Sequence, residues 1–189
     1  MNRVHHWYCA REAWKRRVRE ELVPPALAGL DLGEHVLEVG PGFGPATEVI
    51  ARRAPAVTAL ELDPALAQAL RARLGGEVEI VEGDGRSMPF EDASFTAAVC
   101  FTMLHHVPSP QDQDELFREV RRVLRPGATF AGTDSSGRGI GFALLHIGDT
   151  RVVIDPATLA ERLERVGFED VAVSARRDHF HFSARRPHP

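Results

Sequence analysis

Lysine is almost missing from this chain. Lys15 is the only one, so nearly all of the 23 basic residues are arginine, a bias that reads as a GC-rich coding preference and not as chemistry. Cysteine is scarce too. Cys9 and Cys100 lie far apart, and Cys100 falls in an apolar, strand-like run. That predicts a reduced, buried thiol instead of a disulfide, and with it a cytoplasmic setting. No stretch comes near the roughly 18 apolar residues of a membrane-spanning helix, so no membrane partner is expected. The first residues hold His, Trp, Arg and Glu where a secretory signal would need an apolar core. Strong charge of one sign is absent: the net charge of −4 gives no general pull toward nucleic acid or an anionic surface. Repeats and low-complexity segments do not occur. The G-x-G-x-x-G spacing of a dinucleotide site is also missing, which argues against a NAD oxidoreductase.

What is present starts with size and balance. The chain has 189 residues, 43% hydrophobic and 26% charged, which fits one ordinary globular domain with a real core. Its organising stretch is Val36-Leu37-Glu38-Val39-Gly40-Pro41-Gly42-Phe43-Gly44-Pro45. A short apolar run reads as a buried strand. Three glycines at alternate positions come next, and then Pro45, suited to the first turn of a helix. Glycines there let the backbone pass close beneath a ligand. Pro45 lacks the N–H a phosphate would want, and the Glu38 carboxylate would repel a phosphate but attract a cation. Glu61 lies about 20 residues past the glycine turn, where an acid accepts both hydroxyls of a ribose.

The remaining pattern alternates. Strands are predicted over 36–40, 57–61, 78–82, 97–101 and 128–132, with helices over 45–53, from Asp63-Pro64 to Gly75-Gly76, and from Ser109-Pro110 to Pro126-Gly127. Asp and Ser are N-caps and each Pro takes the first helical position. An irregular stretch from Thr133 to Ile154 carries Phe142, Leu144, Leu145 and Ile147. Asp155-Pro156 opens a last helix, and strands over 171–174 and 179–183 close the chain as an antiparallel pair. Strands alternating with helices predict an α/β fold, a doubly wound, mostly parallel sheet. Residues 1–30 are read as an N-terminal helical lid, with an amphipathic helix from Arg11 to Leu22 that Pro24-Pro25 interrupts. Residues 31–189 are the main body of a single domain.

These motifs together resemble the class I (Rossmann-like) S-adenosylmethionine (SAM)-dependent methyltransferases, of the type 11 or UbiE-like group, over roughly residues 34–175. Val36 to Gly44 is similar to the family's first motif. Glu82-Gly83-Asp84-Gly85-Arg86-Ser87-Met88-Pro89-Phe90 resembles its adenine-reading segment, and Phe95 to Pro108 resembles its fourth strand with L-H-H. Arg121 to Ala128 resembles its L-[K/R]-P-G-G turn. The resemblance implies a seven-stranded sheet of order 3-2-1-4-5-7-6 with an antiparallel C-terminal hairpin. It implies SAM as cofactor and S-adenosylhomocysteine as product. The implied cofactor-binding residues are Glu38, Gly40, Pro41, Gly42 and Gly44; Glu61 and Leu62; Asp84 on the adenine amino group with the Gly85 N–H on the ring and Met88 against its face; and Cys100 or Phe101 offering a carbonyl to the ammonium. The chain departs from the pattern at Gly85, Thr96, Cys100, Phe101 and Ala128.

No nucleophile or triad is visible, and methyl transfer needs none, because it runs largely on positioning. His106 is the candidate to take an acceptor's proton, while His105 is read as packed with a satisfied hydrogen bond. Trp7 and Tyr8 are read as packing the lid or contacting the acceptor. No metal is expected, since adjacent histidines rarely chelate one ion and no carboxylate cluster lies beside them in sequence. The expected acceptor is a small molecule. The alternatives are a protein that binds SAM or its product without turnover, and a methyltransferase acting on protein or RNA. The only support for the last is the cluster Lys15-Arg16-Arg17-Arg19, which Glu12, Glu20 and Glu21 dilute.

Overall fold

A computed structural model of the protein describes residues 2–138 and 147–189. Seven strands form one sheet of order β3-β2-β1-β4-β5-β7-β6. They are β1 (His35–Val39), β2 (Ala56–Glu61), β3 (Glu79–Glu82), β4 (Phe95–Phe101), β5 (Leu124–Ser135), β6 (Glu169–Ala175) and β7 (His179–Arg185). The first five pair in parallel, and β7 runs antiparallel to both β5 and β6. The expected topology is therefore the one observed.

The parallel strands are buried on both faces, as βαβ crossovers require. Their side chains alternate between two cores with period two. Leu37, Val39, Ala98 and Cys100 join Phe117, Val120 and Leu163 on one side. Val36, Ala97, Val99 and Phe101 join Leu22, Ile50 and Leu70 on the other. Glu38 belongs by parity to the second face, a carboxyl among apolar neighbours, and it is 1% exposed.

The described helices are α1 (Arg3–Ala10), α2 (Glu12–Arg17), α3 (Val23–Ala26), α4 (Thr47–Ile50), α5 (Pro64–Leu74), α6 (Pro110–Val123) and α7 (Pro156–Arg165). Three start on the caps read from the sequence. Asp63 accepts from the Ala65 and Leu66 N–H groups, Ser109 from Asp112, and Asp155 from Ala157, each with proline next.

Several elements differ from the sequence reading. The segment from Arg11 to Leu22 is not one uniform helix. Arg11 is extended (φ −70°, ψ 140°) and separates α1 from α2. Pro24-Pro25 does not interrupt the helical path. Residues Val18–Leu22 form a π turn, in which the Val23 N–H reaches back to the Val18 carbonyl, and α3 then runs through both prolines. A π turn shifts the bonding register just ahead of two residues that have no N–H to give. Helix α4 is regular only over Thr47–Ile50, with turn bonds from Glu48 N–H to the Gly44 carbonyl and from Ala54 N–H to Ile50 flanking it. Strand β5 does not end at Gly132. It continues because Thr133, Asp134 and Ser135 pair with His181, Phe180 and His179 of β7. Of the stretch expected to be irregular, Phe142, Leu144 and Leu145 lie outside the described residues.

The N-terminal helices are fixed to the sheet by a buried polar link. The Thr133 hydroxyl lies 2.7 Å from His181 Nδ1 and 3.3 Å from the Leu22 carbonyl. Burial, with His179 and Arg176 nearby, lowers the His181 pKa from 6.5 to about 4. The unfolded chain takes this proton near 6.5 and the folded protein near 4, so the unfolded state holds the extra proton in between. Stability is then expected to fall as pH drops from 6.5 toward 4. Urea midpoints across that window should lose this slope in His181→Gln; an equal slope in both proteins would assign it elsewhere.

Candidate functional site

The sheet order reverses direction at β1, with β2 on one side and β4 on the other. A crevice at the carboxyl ends of the strands is expected at such a switch point. There the structure has a cavity of about 1240 Å³, roofed by α1, α2 and the π turn. That exceeds the roughly 300–1,000 Å³ of a typical small-molecule pocket, leaving room for a second molecule beside a cofactor.

The glycine turn forms its floor. Gly40, Gly42 and Gly44 all take positive φ. At Gly42 (φ 56°) the backbone N–H donates to Glu61 Oε2 at 2.9 Å, and Glu61 Oε1 accepts from the Asp63 N–H at 2.9 Å. Glu61 therefore ties the glycine turn to the end of β2. Burial pushes its carboxyl pKa upward, against the pull of the Asp63 and Gly42 N–H groups. A carboxylate has about four lone-pair directions, so sites remain for a diol.

Glu38 lies deeper. Burial raises its pKa to about 8, with Thr47 pulling it down and Glu61 adding to the rise. Its Oε2 is buried without a hydrogen-bond partner. A buried, unsatisfied carboxyl oxygen costs on the order of 1–3 kcal/mol. Facing a cavity, it suits a cationic group of a ligand.

Asp84 also lines the cavity, but it is already engaged. Arg86 Nε lies 3.1 and 3.0 Å from its two oxygens, and Arg86 Nη1 reaches Asp112 at 2.7 Å. The Arg86 guanidinium holds the Asp84 carboxyl below its usual pKa range. Gly85 has a packing reason that the sequence did not show. A Cβ there would stand 3.0 Å from Leu116 Cδ1 and 3.1 Å from Val39 Cγ1.

Of the other cofactor-site candidates, Gly40, Pro41, Leu62 and Phe101 line the cavity. Gly44, Met88 and Cys100 do not. Gly44 turns the chain against Leu70 and Arg73. Met88 is 5% exposed inside the core, and Met103, packed against that same core, lines the cavity instead. Cys100 is fully buried inside the β4 ladder, and burial first, then Asp134 and Glu38, drives its thiol pKa well up. Among the acceptor candidates, Tyr8 and His106 line the cavity, whereas Trp7 is 59% exposed and stacks under Arg11. Trp14, one helical segment on, is the tryptophan that faces inward, 5.4 Å from the Tyr8 ring. Thr96 sits at the far end of the sheet, where its hydroxyl accepts from the His35 N–H at 2.9 Å and lies 2.8 Å from the Leu32 carbonyl. Its departure from the family pattern therefore touches no part of the cavity.

Sequence reasoning missed three features. Thr102, just past β4, lines the cavity at φ 53°, a costly conformation for a β-branched residue. His105 is buried as expected, but its partner is Asp134, from the part of β5 read as irregular; the His105 N–H donates to Asp134 Oδ2 at 2.9 Å and the ring bonds the other oxygen. The fold also brings His5 and Asp149 beside His106. The expectation concerned carboxylates near the histidines in sequence; Asp149 comes from a distant segment, and no local pattern links the two. For Asp149, burial alone would raise the carboxyl pKa, but the hydrogen bonds from His5 and the Asn2 N–H outweigh it and hold it at about 2.

Comparison with known proteins agrees with this geometry. A family described as a methyltransferase domain matches residues 37–132. A protein of Mycolicibacterium smegmatis named as a probable S-adenosylmethionine-dependent methyltransferase is 35% identical over 162 residues, 82% of this chain and 59% of its own. A ubiquinone biosynthesis O-methyltransferase of Xanthomonas oryzae pv. oryzae is 38% identical over 128 residues, 64% of this chain and 52% of its own. This chain thus spans only between half and three-fifths of the length of these relatives. A SAM-dependent methyltransferase from Aquifex aeolicus shares the fold at a TM-score of 0.76 and 17% identity, covering 98% of this chain and 99% of that one. With more than half its length matched by the family and the strand order, glycine turn and acid-lined crevice in place, the chain belongs to the class I SAM-dependent methyltransferases.

Proposed function

We propose that this protein transfers the methyl group of SAM to a small-molecule acceptor. The observation that carries the reading is convergence: Gly42, Glu61 and Asp84, from three separate segments, line one cavity whose floor also holds the unsatisfied carboxyl of Glu38. Glu61 would accept from the ribose hydroxyls, Asp84 from the adenine amino group, and Glu38 would face the ammonium of the methionine part. When bound, SAM supplies a methyl group already activated by its sulfonium. The chain's part is positioning and exclusion of water. Tyr8, Trp14 and Phe101 supply apolar walls, and the N-terminal helices cover the site.

The small-molecule reading is supported by the relative named for ubiquinone biosynthesis and by the engagement of Lys15, Arg17 and Arg19 of the basic cluster, which leaves only the exposed Arg16. Arg17 binds Asp178, Arg19 binds Glu12 and Glu48, and Lys15 lies 5.8 Å over the Phe43 ring. Paired and shielded cations offer little to a phosphate backbone. Calorimetry with SAM and with NADH tests the cofactor, and radiolabelled methyl uptake from fractionated small metabolites, bulk protein and RNA tests the acceptor. Tight SAM binding with no uptake into any fraction would favour binding without turnover.

Glu38 gives this reading a proton signature. At neutral pH the free protein holds the Glu38 proton, because the pKa is about 8. A bound ammonium stabilises the carboxylate, so SAM binding at pH 7 is expected to release a fraction of one proton. Calorimetry in two buffers of different ionisation enthalpy reads that release, and Glu38→Gln should abolish it. Without ligand, the folded protein holds this proton between pH 4.5 and 8 while the unfolded chain does not. Stability through this group therefore falls as pH rises across that window.

A further inference from the structure

We infer that His5, His106 and Asp149 form a binding site for one divalent transition-metal ion, with Zn2+ as the representative, at the mouth of the cavity. One ring nitrogen of each histidine and one carboxylate oxygen lie within 4.8 Å of one another. His5 Nδ1 and Asp149 Oδ2 are 3.2 Å apart, close to the separation of neighbouring ligands on an ion with bonds of roughly 2.0–2.2 Å. With the ligand atoms up to 4.8 Å apart, the widest pair must close by at most about 1.4 Å to reach tetrahedral spacing, a change that side-chain rotation can supply.

The donor set selects the class of ion. Two imidazoles and one carboxylate suit Zn2+ or Fe2+, not the all-oxygen shells of Mg2+ or Ca2+. Three protein ligands are one short of a closed structural zinc site and match the open arrangement that keeps a position for another molecule. All three residues line the cavity, so the open position faces the space beside the cofactor crevice.

The surroundings hold these ligands in place, as outer groups do around metal sites. The Asn2 backbone N–H donates to Asp149 Oδ2 at 3.1 Å, and the Asn2 side chain caps α1 by accepting from the His5 N–H at 2.8 Å. The His105 ring lies 4.2 Å behind His106 and is itself fixed by Asp134. The His5–Asp149 contact alone would serve only to fasten α1. His106, projecting from the turn after β4, makes the pair a three-point cluster drawn from three distant parts of the chain. An ion there would take an oxygen donor of the acceptor, such as a hydroxyl, and lower its pKa. The acceptor's place on the ion rests on methyl transfer; the ion site does not.

The test uses the full chain without a histidine tag, dialysed against chelator and titrated with ZnCl2 by calorimetry, and separately with CoCl2 followed by visible absorption. One ion per chain should bind, with His106→Ala and Asp149→Ala each weakening it at least tenfold, and His188→Ala leaving it unchanged. The Co2+ spectrum should lose its intense d–d bands in the same two variants. His106→Asn and His5→Asn repeat the comparison if an alanine variant fails to fold, which its thermal midpoint would reveal. SAM affinity, measured on the same samples, is expected to stay within twofold. Loss of SAM binding by the wild-type protein would remove the methyl-transfer reading while leaving the ion site standing. Absence of a saturable single site, or equal Zn2+ affinity in wild type and both variants, overturns the inference.

Discussion

Glu61→Ala is expected to weaken SAM binding on the order of 100-fold, about 3 kcal/mol. The carboxylate has two tasks. It would accept the ribose hydroxyls, and hydrogen bonds to a charged partner contribute roughly 1.5–3 kcal/mol. It also accepts from the Gly42 and Asp63 N–H groups, each at 2.9 Å, and so holds the glycine turn in its binding shape. Alanine removes both, and the turn must then order on binding. Glu61→Gln keeps one oxygen acceptor but cannot accept from both N–H groups, so its loss should be smaller, around tenfold. Calorimetry with SAM and with S-adenosylhomocysteine separates the variants. An unchanged affinity in Glu61→Ala would remove this residue from the site and with it the ribose-binding reading.

Gly132→Ala is expected to cost about 2–4 kcal/mol of folding stability. A Cβ at this position would lie 2.2 Å from the Cys100 carbonyl oxygen and 3.0 Å from Phe182 Cε1. Phe182 could shift, but the carbonyl is part of the β4–β5 ladder, where Cys100 is paired with Gly132 itself. Overpacking typically costs about 1–3 kcal/mol, and a displaced ladder hydrogen bond adds about 1 more. Total stability of a domain is only about 5–15 kcal/mol. The melting midpoint should fall by roughly 10 °C at this chain length. The strand that must move ends in Phe101 and leads straight into Thr102, both in the cavity wall, so SAM affinity should fall too. A midpoint close to that of wild type would show that the ladder has slack here.

How far residues alone carry the reading depends on range. The caps at Asp63, Ser109 and Asp155 and the glycine turn are local: each is specified by neighbours within a few positions, and each appears where expected. The Glu61 position is legible as well, because β2 must lie beside β1. The rim of the cavity is different. Trp14 shares a four-residue spacing with Val18 and Leu22 and faces inward with them, while Trp7, on the other side of the extended Arg11, is turned out to solvent. Met88 and Met103 pack against the same core, but only Met103 reaches the cavity, a difference of loop path that no short window records. Asp134 and Asp149 gained their partners through β5 running three residues further and through a segment packing onto α1, and neither event has a signature in a short window.

The π turn at Val18–Leu22 has a consequence for how such proteins change their choice of acceptor. A π turn corresponds to one residue inserted into an α-helix, and each residue advances a helix by about 100°. Deleting a single position there would restore ordinary winding and swing the preceding segment around its axis. Trp14, Tyr8 and His5 would leave the opening together, while the cofactor crevice, built from strand ends, would be untouched. A lineage could therefore exchange the whole entrance of the chamber by one codon gained or lost, keeping its methyl donor while it trades one recipient for another.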